Sequence, residues 1–281
     1  MRAAGAEFAE VAPHRLGAIL GGRLVGERTE ALRAVLGGAG LGYTVHAADR
    51  LNLMDTQRPQ LQLDIFRSTL EFAARIGAKV VVYHSGQRVG ARDARHRLSA
   101  QLAAERRALW EMGEVAGELG ITIAVENSYP DPAILHGAAY AYGAWPSQLA
   151  EQVAAVDHSA VGICLDLGHG WIASGFFGFD FLQECTVAAP LVRHLHIHDN
   201  LGQPDFGDEP EACERITRGL GDLHLPPGSG NVPIEAALSL LDLSRIRTSC
   251  VEISANSYHQ AAEALQSARQ LARPGAVTAA A

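Results

Sequence analysis

The sequence predicts an α/β chain folded as a (β/α)8 TIM barrel that lacks its first strand or carries a truncated one. Three observations lead there. Short apolar, β-rich runs recur along the chain, segments of helical periodicity separate them, and the unit length of roughly 35 to 55 residues is that of βαβ units joining parallel strands. Nearly every run also finishes in a histidine or a carboxylate, and the C-terminal ends of the strands are where barrel active sites are built.

The runs are "EFAEV" at residues 7 to 11, "YTVHA" at 43 to 47, "KVVVYHSG" at 79 to 86, "ITIAVEN" at 121 to 127, "VGICLDLGH" at 161 to 169, "HLHIHDN" at 194 to 200 and "SCVEIS" at 249 to 254. Between them, "QLDIFRSTLEFAARIGA" at 62 to 78 and "RHRLSAQLAAERRALWEMGEVAGELG" at 95 to 120 place apolar residues at helical spacing, the second stopping at Gly120. Seven strands are one short of a closed barrel. The missing one is the first, because "AGAEFAEV" reads as the tail of a helix running into a second strand. The expectation is that coding sequence upstream of Met1 supplies it, since an open barrel exposes two unpaired edges. A soluble, active protein starting at Met1 would count against that.

No low-complexity linker divides the chain, so a single domain over residues 1–272 is expected, with residues 273–281 as a disordered tail. Apolar residues make up 48% of the chain, enough for a large core, yet no run reaches the length of a membrane span and no basic-then-apolar leader is present. The reading is a soluble, cytoplasmic protein. Cys164, Cys185, Cys213 and Cys250 form no CxxC pair, which predicts buried thiols rather than disulfides or a thiolate zinc site. A net charge of -8 argues against nucleic acid as the main partner.

His46, His84, Glu126, Asp166, His196 and Glu252 each lie at or near a strand's C-terminal end. His169, Asp222 and His224 follow in loops. Four carboxylates converging on one mouth would repel unless cations offset them. Two or three divalent ions match that charge, and imidazoles mixed with carboxylates suit Zn, Mn or Fe better than Mg or Ca.

The pieces "VHAADRLNL", "YHSG", "VENS", "DLGH", "HIHDN" and "DLHLPPGSG" resemble the xylose isomerase-like TIM-barrel superfamily, which includes endonuclease IV and many sugar phosphate isomerases and epimerases. The resemblance covers about residues 1 to 255. It implies an endonuclease IV-like three-zinc site in which Glu126 bridges two ions, one shared with His46 and His84 and one completed by Asp166, His196 and Glu252, while His169, Asp222 and His224 hold the third. For the superfamily's isomerases and epimerases it implies a smaller set: one Mn or Mg ion on Glu126, Asp166, His196 and Glu252, with the two glutamates moving protons as catalytic groups. The surplus ligands favour hydrolysis of a small phosphoester, with sugar or sugar-phosphate isomerisation as the alternative.

Within "RHLHIHDN", His194, His196 and His198 share one strand face. His196 matches the ligand, His194 lies a pleat deeper as a core residue, and His198 a pleat higher, where it could orient a ligand or touch substrate. Arg88, Arg92, Arg95 and Arg97 after His84, with Arg50 after His46, could clamp an anion. Tyr129, Tyr140, Tyr142 and Trp145 lie in a long insertion after Glu126, and a second insertion precedes Asp222; their aromatic rings could stack on a sugar. The acidic balance departs from endonuclease IV. The expected partner is a small phosphorylated or polyhydroxylated molecule.

Overall fold

Seven parallel strands carry the fold: β1 (Phe8–Val11), β2 (Gly42–His46), β3 (Val80–His84), β4 (Thr122–Glu126), β5 (Val161–Asp166), β6 (Val192–Ile197) and β7 (Thr248–Val251). The structure, a computed structural model, describes residues 1–89, 94–208 and 211–273. The strands stand side by side in chain order, so each βα unit adds one strand to the same edge. Helices α1 (Gly26–Gly37), α2 (Pro59–Ile76), α3 (Ala94–Glu118), α4 (Pro132–Leu135), α5 (Pro146–Val156), α6 (Leu167–Phe177), α7 (Phe181–Ala188), α8 (Ala212–Arg218), α9 (Ile234–Ser239) and α10 (Ala261–Leu271) fill the connections. The result is a nearly closed barrel of the TIM type. β1 and β7 approach within 8 Å between Cα atoms, but no ladder joins them among the described residues.

Strand parity decides what faces the axis. Val80, Val82, Ala124 and Cys164 form a small interior cluster, whereas the alternate residues Val81, Tyr83, Ile123, Val125, Ile163, Leu165, Leu195 and Ile197 join the larger core beneath the helices. Helix α2 shows why the helices sit where they do. Proline occupies its first turn, its apolar stripe buries Phe66, Leu70 and Ala73, and Gly77 at φ 75° ends it by returning its N–H to Ala73 and Ala74.

Two expected elements differ. The run at 161 to 169 is strand only to Asp166, because the Asp166 carboxylate accepts the His169 N–H at 2.7 Å and starts α6, so His169 lies in a helical first turn rather than a loop. The insertion after Glu126 is joined to the segment after β3. Gln87–Val89 pairs antiparallel with Ala139–Ala141 to make a two-stranded ribbon. Residues 274–281, most of the expected tail, lie outside the described residues.

Beneath that ribbon Glu105 of α3, fully buried, fixes the end of β3. It accepts hydrogen bonds from the Gly86 N–H at 2.7 Å, the Tyr83 hydroxyl at 3.0 Å and Gln152 at 3.0 Å, while Tyr83 in turn accepts the Leu53 N–H. Burial pushes its pKa above the ordinary 4.5 despite these donors. Glu105→Ala should therefore lower the unfolding free energy by about 3 kcal/mol or more, because several buried donors lose their acceptor. A carboxyl raised in the folded state contributes stability that is fully present below its unfolded pKa and is lost as pH rises through the folded one. Denaturant titrations should show the wild type losing ground to Glu105→Gln as pH rises above the ordinary carboxylate range; parallel curves would refute this account.

Candidate metal centre

His46, His84, Glu126 and Asp166 are the last residues of β2, β3, β4 and β5, His196 is the inward residue near the end of β6, and Glu252 directly follows β7. Parity turns all six toward the axis. The His196 Nδ1 atom lies 3.2 Å from Glu126 Oε1, 3.4 Å from Glu252 Oε1 and 3.7 Å from Asp166 Oδ2. The other oxygen of Glu126 lies 3.1 Å from His84 Nε2 and 3.3 Å from His46 Nε2. Beyond, Asp222 Oδ2 lies 2.7 Å from His224 Nε2 and 3.3 Å from His169 Nε2. All nine residues thus form one continuous cluster with Glu126 spanning two of its lobes.

The spacing suits metal ligation. Ligand atoms held about 2.0 to 2.2 Å from a tetrahedral ion stand about 3.3 to 3.6 Å from one another, and the pairs around His196 Nδ1 and Glu126 Oε2 lie close to that, at 3.1 to 3.7 Å. Glu126 Oε2 and Asp222 Oδ1 are buried without an aligned hydrogen bond, although imidazoles lie close to both. Buried oxygens left without donors are costly, and a divalent cation would satisfy them.

The surrounding residues fix ring orientation. The His169 Nδ1–H donates to the Asn127 carbonyl at 2.9 Å and the His46 Nδ1–H to the Ala47 carbonyl at 2.8 Å, leaving each Nε2 facing the cluster. Asn127 also clamps the Asp166 backbone, accepting its N–H at 2.8 Å and donating to its carbonyl at 2.9 Å. His198 sits behind Asp166, 3.1 and 3.2 Å from its two oxygens, and stacks on His224 with centroids 4.2 Å apart. A Cβ at position 168 would fall on the His198 ring, which explains the glycine in "DLGH". His224 itself adopts φ +48°, a conformation uncommon outside glycine, and so reaches Asp222. Asp199 holds that loop: it accepts the N–H groups of Asn200, Gly228 and Val232 at 2.9 to 3.0 Å.

Electrostatics follow from this packing. Burial alone would raise the Asp222 carboxyl, but the imidazoles of His224, His198 and His169 outweigh it and hold it well below its usual range. Glu126 is lowered in the same way by His196 and His84. Burial opposes protonation of His46 and His224, yet Glu126 and Asp222 respectively prevail and raise each to about 9. Protons on the imidazoles thus balance the carboxylates wherever no metal does.

Other expected contacts distribute unevenly. Tyr129 lines the cavity of about 1150 Å³ that runs from the mouth along the open side of the barrel, and packs on His169 at 4.9 Å. Trp145 does not line it, because its ring is spent on Phe177 at 4.0 Å and Phe179 at 6.3 Å. Tyr142 is buried, and Tyr140 donates to Gln148. His198 touches ligands rather than open space, and Arg50 is exposed outside the lining. Arg92 lies outside the described residues, as do the side chains of Arg88, Arg95 and Arg97. Sequence reading passed over Glu10, Asn127 and Asp199. Glu10 is a single inward carboxylate on a short strand; Asn127 follows Glu126 and Asp199 lies in the turn after β6, and both act through hydrogen bonds that spacing does not reveal.

The family model for xylose isomerase-like TIM barrels matches residues 1–273. The chain belongs to that family. An uncharacterized protein of Methanocaldococcus jannaschii is 25% identical over 168 residues, covering 59% of each chain, so this chain spans about three fifths of that relative's length. Among solved structures, a D-tagatose 3-epimerase-like protein aligns with a TM-score of 0.70 at 22% identity, over 95% of this chain and 89% of its own. D-psicose 3-epimerase from Clostridium cellulolyticum H10 aligns at 0.67 and 15% identity, over 96% and 91%. The IOLI protein, solved with a zinc atom bound, aligns at 0.60 and 18%, over 94% and 86%. At these identities the likeness speaks for the xylose isomerase-like fold.

Because His46 and His224 carry protons up to about pH 9, a metal must expel them to bind. Apparent affinity should fall as pH is lowered from 9 to 6, and calorimetry in buffers of different ionisation enthalpy should show proton release. Binding without proton release at pH 7 would overturn the assignment of these imidazoles as ligands.

Proposed function

We propose that the protein is a metal-dependent sugar epimerase or isomerase. The observation that carries this reading is the approach of Glu126, Asp166 and Glu252 to the single Nδ1 atom of His196. Glu126 and Glu252 are the outer members of a four-strand arc from β4 to the end of β7, so a substrate lying across that arc meets a carboxylate at either end. The similarity to structures described as D-tagatose 3-epimerase-like and D-psicose 3-epimerase supports the same chemistry.

A divalent ion held by Glu126, Asp166, His196 and Glu252 would supply Lewis-acid polarisation of the substrate's carbonyl and hydroxyl oxygens. The chain's own residues do the rest. One glutamate takes the proton from the carbon beside the carbonyl, and the other, protonated, returns a proton to the opposite face of that carbon, inverting it. Asn127 keeps Asp166 in place and Tyr129 covers one side of the cavity. The guanidinium of Arg15 lies in the lining but is held by Asp49 at 2.8 Å, an arrangement better matched to a neutral polyol than to a phosphate ester.

Incubation of the metal-loaded protein with ketohexoses in deuterium oxide should yield the epimer labelled at the inverted carbon. Glu252→Gln should lower kcat by about 10² or more with the fold intact by circular dichroism. Absence of exchange across the ketohexoses and their phosphates would reject the reading.

A second reading rests on His46 and His84 around Glu126 Oε2, and on His169 and His224 around Asp222. A one-ion epimerase has no evident use for these, whereas phosphoester hydrolysis by a multinuclear zinc site does. Two or three zinc equivalents, loss of one in His224→Ala and turnover of an aryl phosphodiester would favour it. One exchangeable manganese or magnesium favours epimerisation.

A further inference from the structure

Below the mouth the barrel holds a second cluster that the proposed chemistry leaves unused. Glu10 on β1 points inward between His194 and His196, with Oε2 3.4 Å from His194 Nε2 and Oε1 3.2 Å from His196 Nε2. Thr44 donates to Glu10 at 2.8 Å and so fixes the carboxylate. The Cys164 sulfur and ring nitrogens of His194 and His196 lie within 4.8 Å of one another, and all three residues are fully buried. Cys164 groups with both imidazoles, and Glu10 reaches the same two imidazoles from β1.

The decisive detail is alignment. Both Nε2 atoms are buried without a hydrogen-bond partner, although each stands within 3.4 Å of Glu10. An N–H aimed at the carboxylate would be satisfied at that distance. Two lone pairs and a carboxylate aimed at a common centre would look as these do, since neighbouring ligands of a tetrahedral ion stand about 3.3 Å apart. His194 is prepared for this, because its Nδ1–H can donate to the Thr248 hydroxyl 2.7 Å away and leave Nε2 free.

We propose that Glu10, Cys164, His194 and His196 form a second, deeper metal site, separate from the mouth and suited to zinc. A sulfur, two nitrogens and an oxygen match the ligand preferences of that ion. While His196 stays a neutral imidazole the charges close as well: a thiolate and a carboxylate cancel a dication, so the deep site filled alone is neutral in the barrel interior. His196 is common to both sites, presenting Nδ1 to the mouth carboxylates and Nε2 to Glu10. With both sites filled it would bridge them as an imidazolate; the thiol proton of Cys164 and the ring proton of His196 leave to solvent. The absence of a CxxC pair does not bear on this site, because its ligands come from three different strands.

Cobalt substitution tests the assignment, since the mouth ligands include no sulfur. Cobalt-loaded wild type should show a near-ultraviolet sulfur-to-metal charge-transfer band. Cys164→Ala should lose the band and one metal equivalent, and Cys250→Ala should keep both. Wild type that binds cobalt without the band, or a band that survives Cys164→Ala, overturns the site. Should the alanine variant fail to fold, X-ray absorption on zinc-loaded wild type decides: a sulfur neighbour at about 2.3 Å is expected, and a shell of nitrogen and oxygen alone refutes it.

Discussion

Glu126 reaches the barrel axis from the end of β4 with 1% of its surface exposed, and its charge must be balanced there. Leaving an ionised carboxylate buried and unpaired costs several kcal/mol. Imidazoles from β2, β3, β6 and α6 surround it, and Asp222 receives the same treatment from His169, His198 and His224. The cluster can exist with protons on the histidines or with metal in their place. That exchange is what fits the mouth to hold metal as readily as a set of ion pairs.

Holding such a cluster demands a rigid frame, and the frame is made of backbone hydrogen bonds more than of core packing. Asn127 ties the end of β5 to β4 and sets the tautomer of His169; Asp166 starts α6 while facing the axis; Asp199 closes the loop that brings Asp222 and His224 across. Asn127 adjoins a ligand in sequence, Asp166 is one, and Asp199 follows the strand that carries His196. The strand ends and the first residues after them thus do two jobs at once, gathering ligands and fixing the turns that hold them.

This division explains what could be read from the sequence. Alternation in "KVVVYH" and "ITIAVE" already tells which residues face the axis, so the seven strands and the six strand-end residues were legible from periodicity, while the place of His169, Asp222 and His224 beside them rested on the family resemblance. The start of α6 was not, because "VGICLDLGH" continues in strand-like residues until the Asp166 carboxylate captures the His169 N–H. Nor was the fate of Trp145: an aromatic in an insertion beside the mouth could face substrate or Phe177, and only packing chooses. Glu10 was hidden for a different reason. Its strand is short and stands at the open side of the barrel, where a single inward carboxylate carries no spacing signal.

The same frame bears on how one family can host different chemistries. Removing His46 and His84 from the set would leave Glu126, Asp166, His196 and Glu252 undisturbed, since those two imidazoles approach only the far oxygen of Glu126. Removing His169, Asp222 or His224 would likewise leave the four-residue core, although His198 would lose one of its two carboxylate neighbours. The extra lobes are additions around a minimal centre: His46 and His84 meet it at Glu126, and the third lobe meets it where His169 approaches Glu126 and Asp166 and His224 approaches Glu252. His196 extends the principle downward through Glu10. Ligands can thus be added to or taken from the mouth of such a barrel without moving a strand.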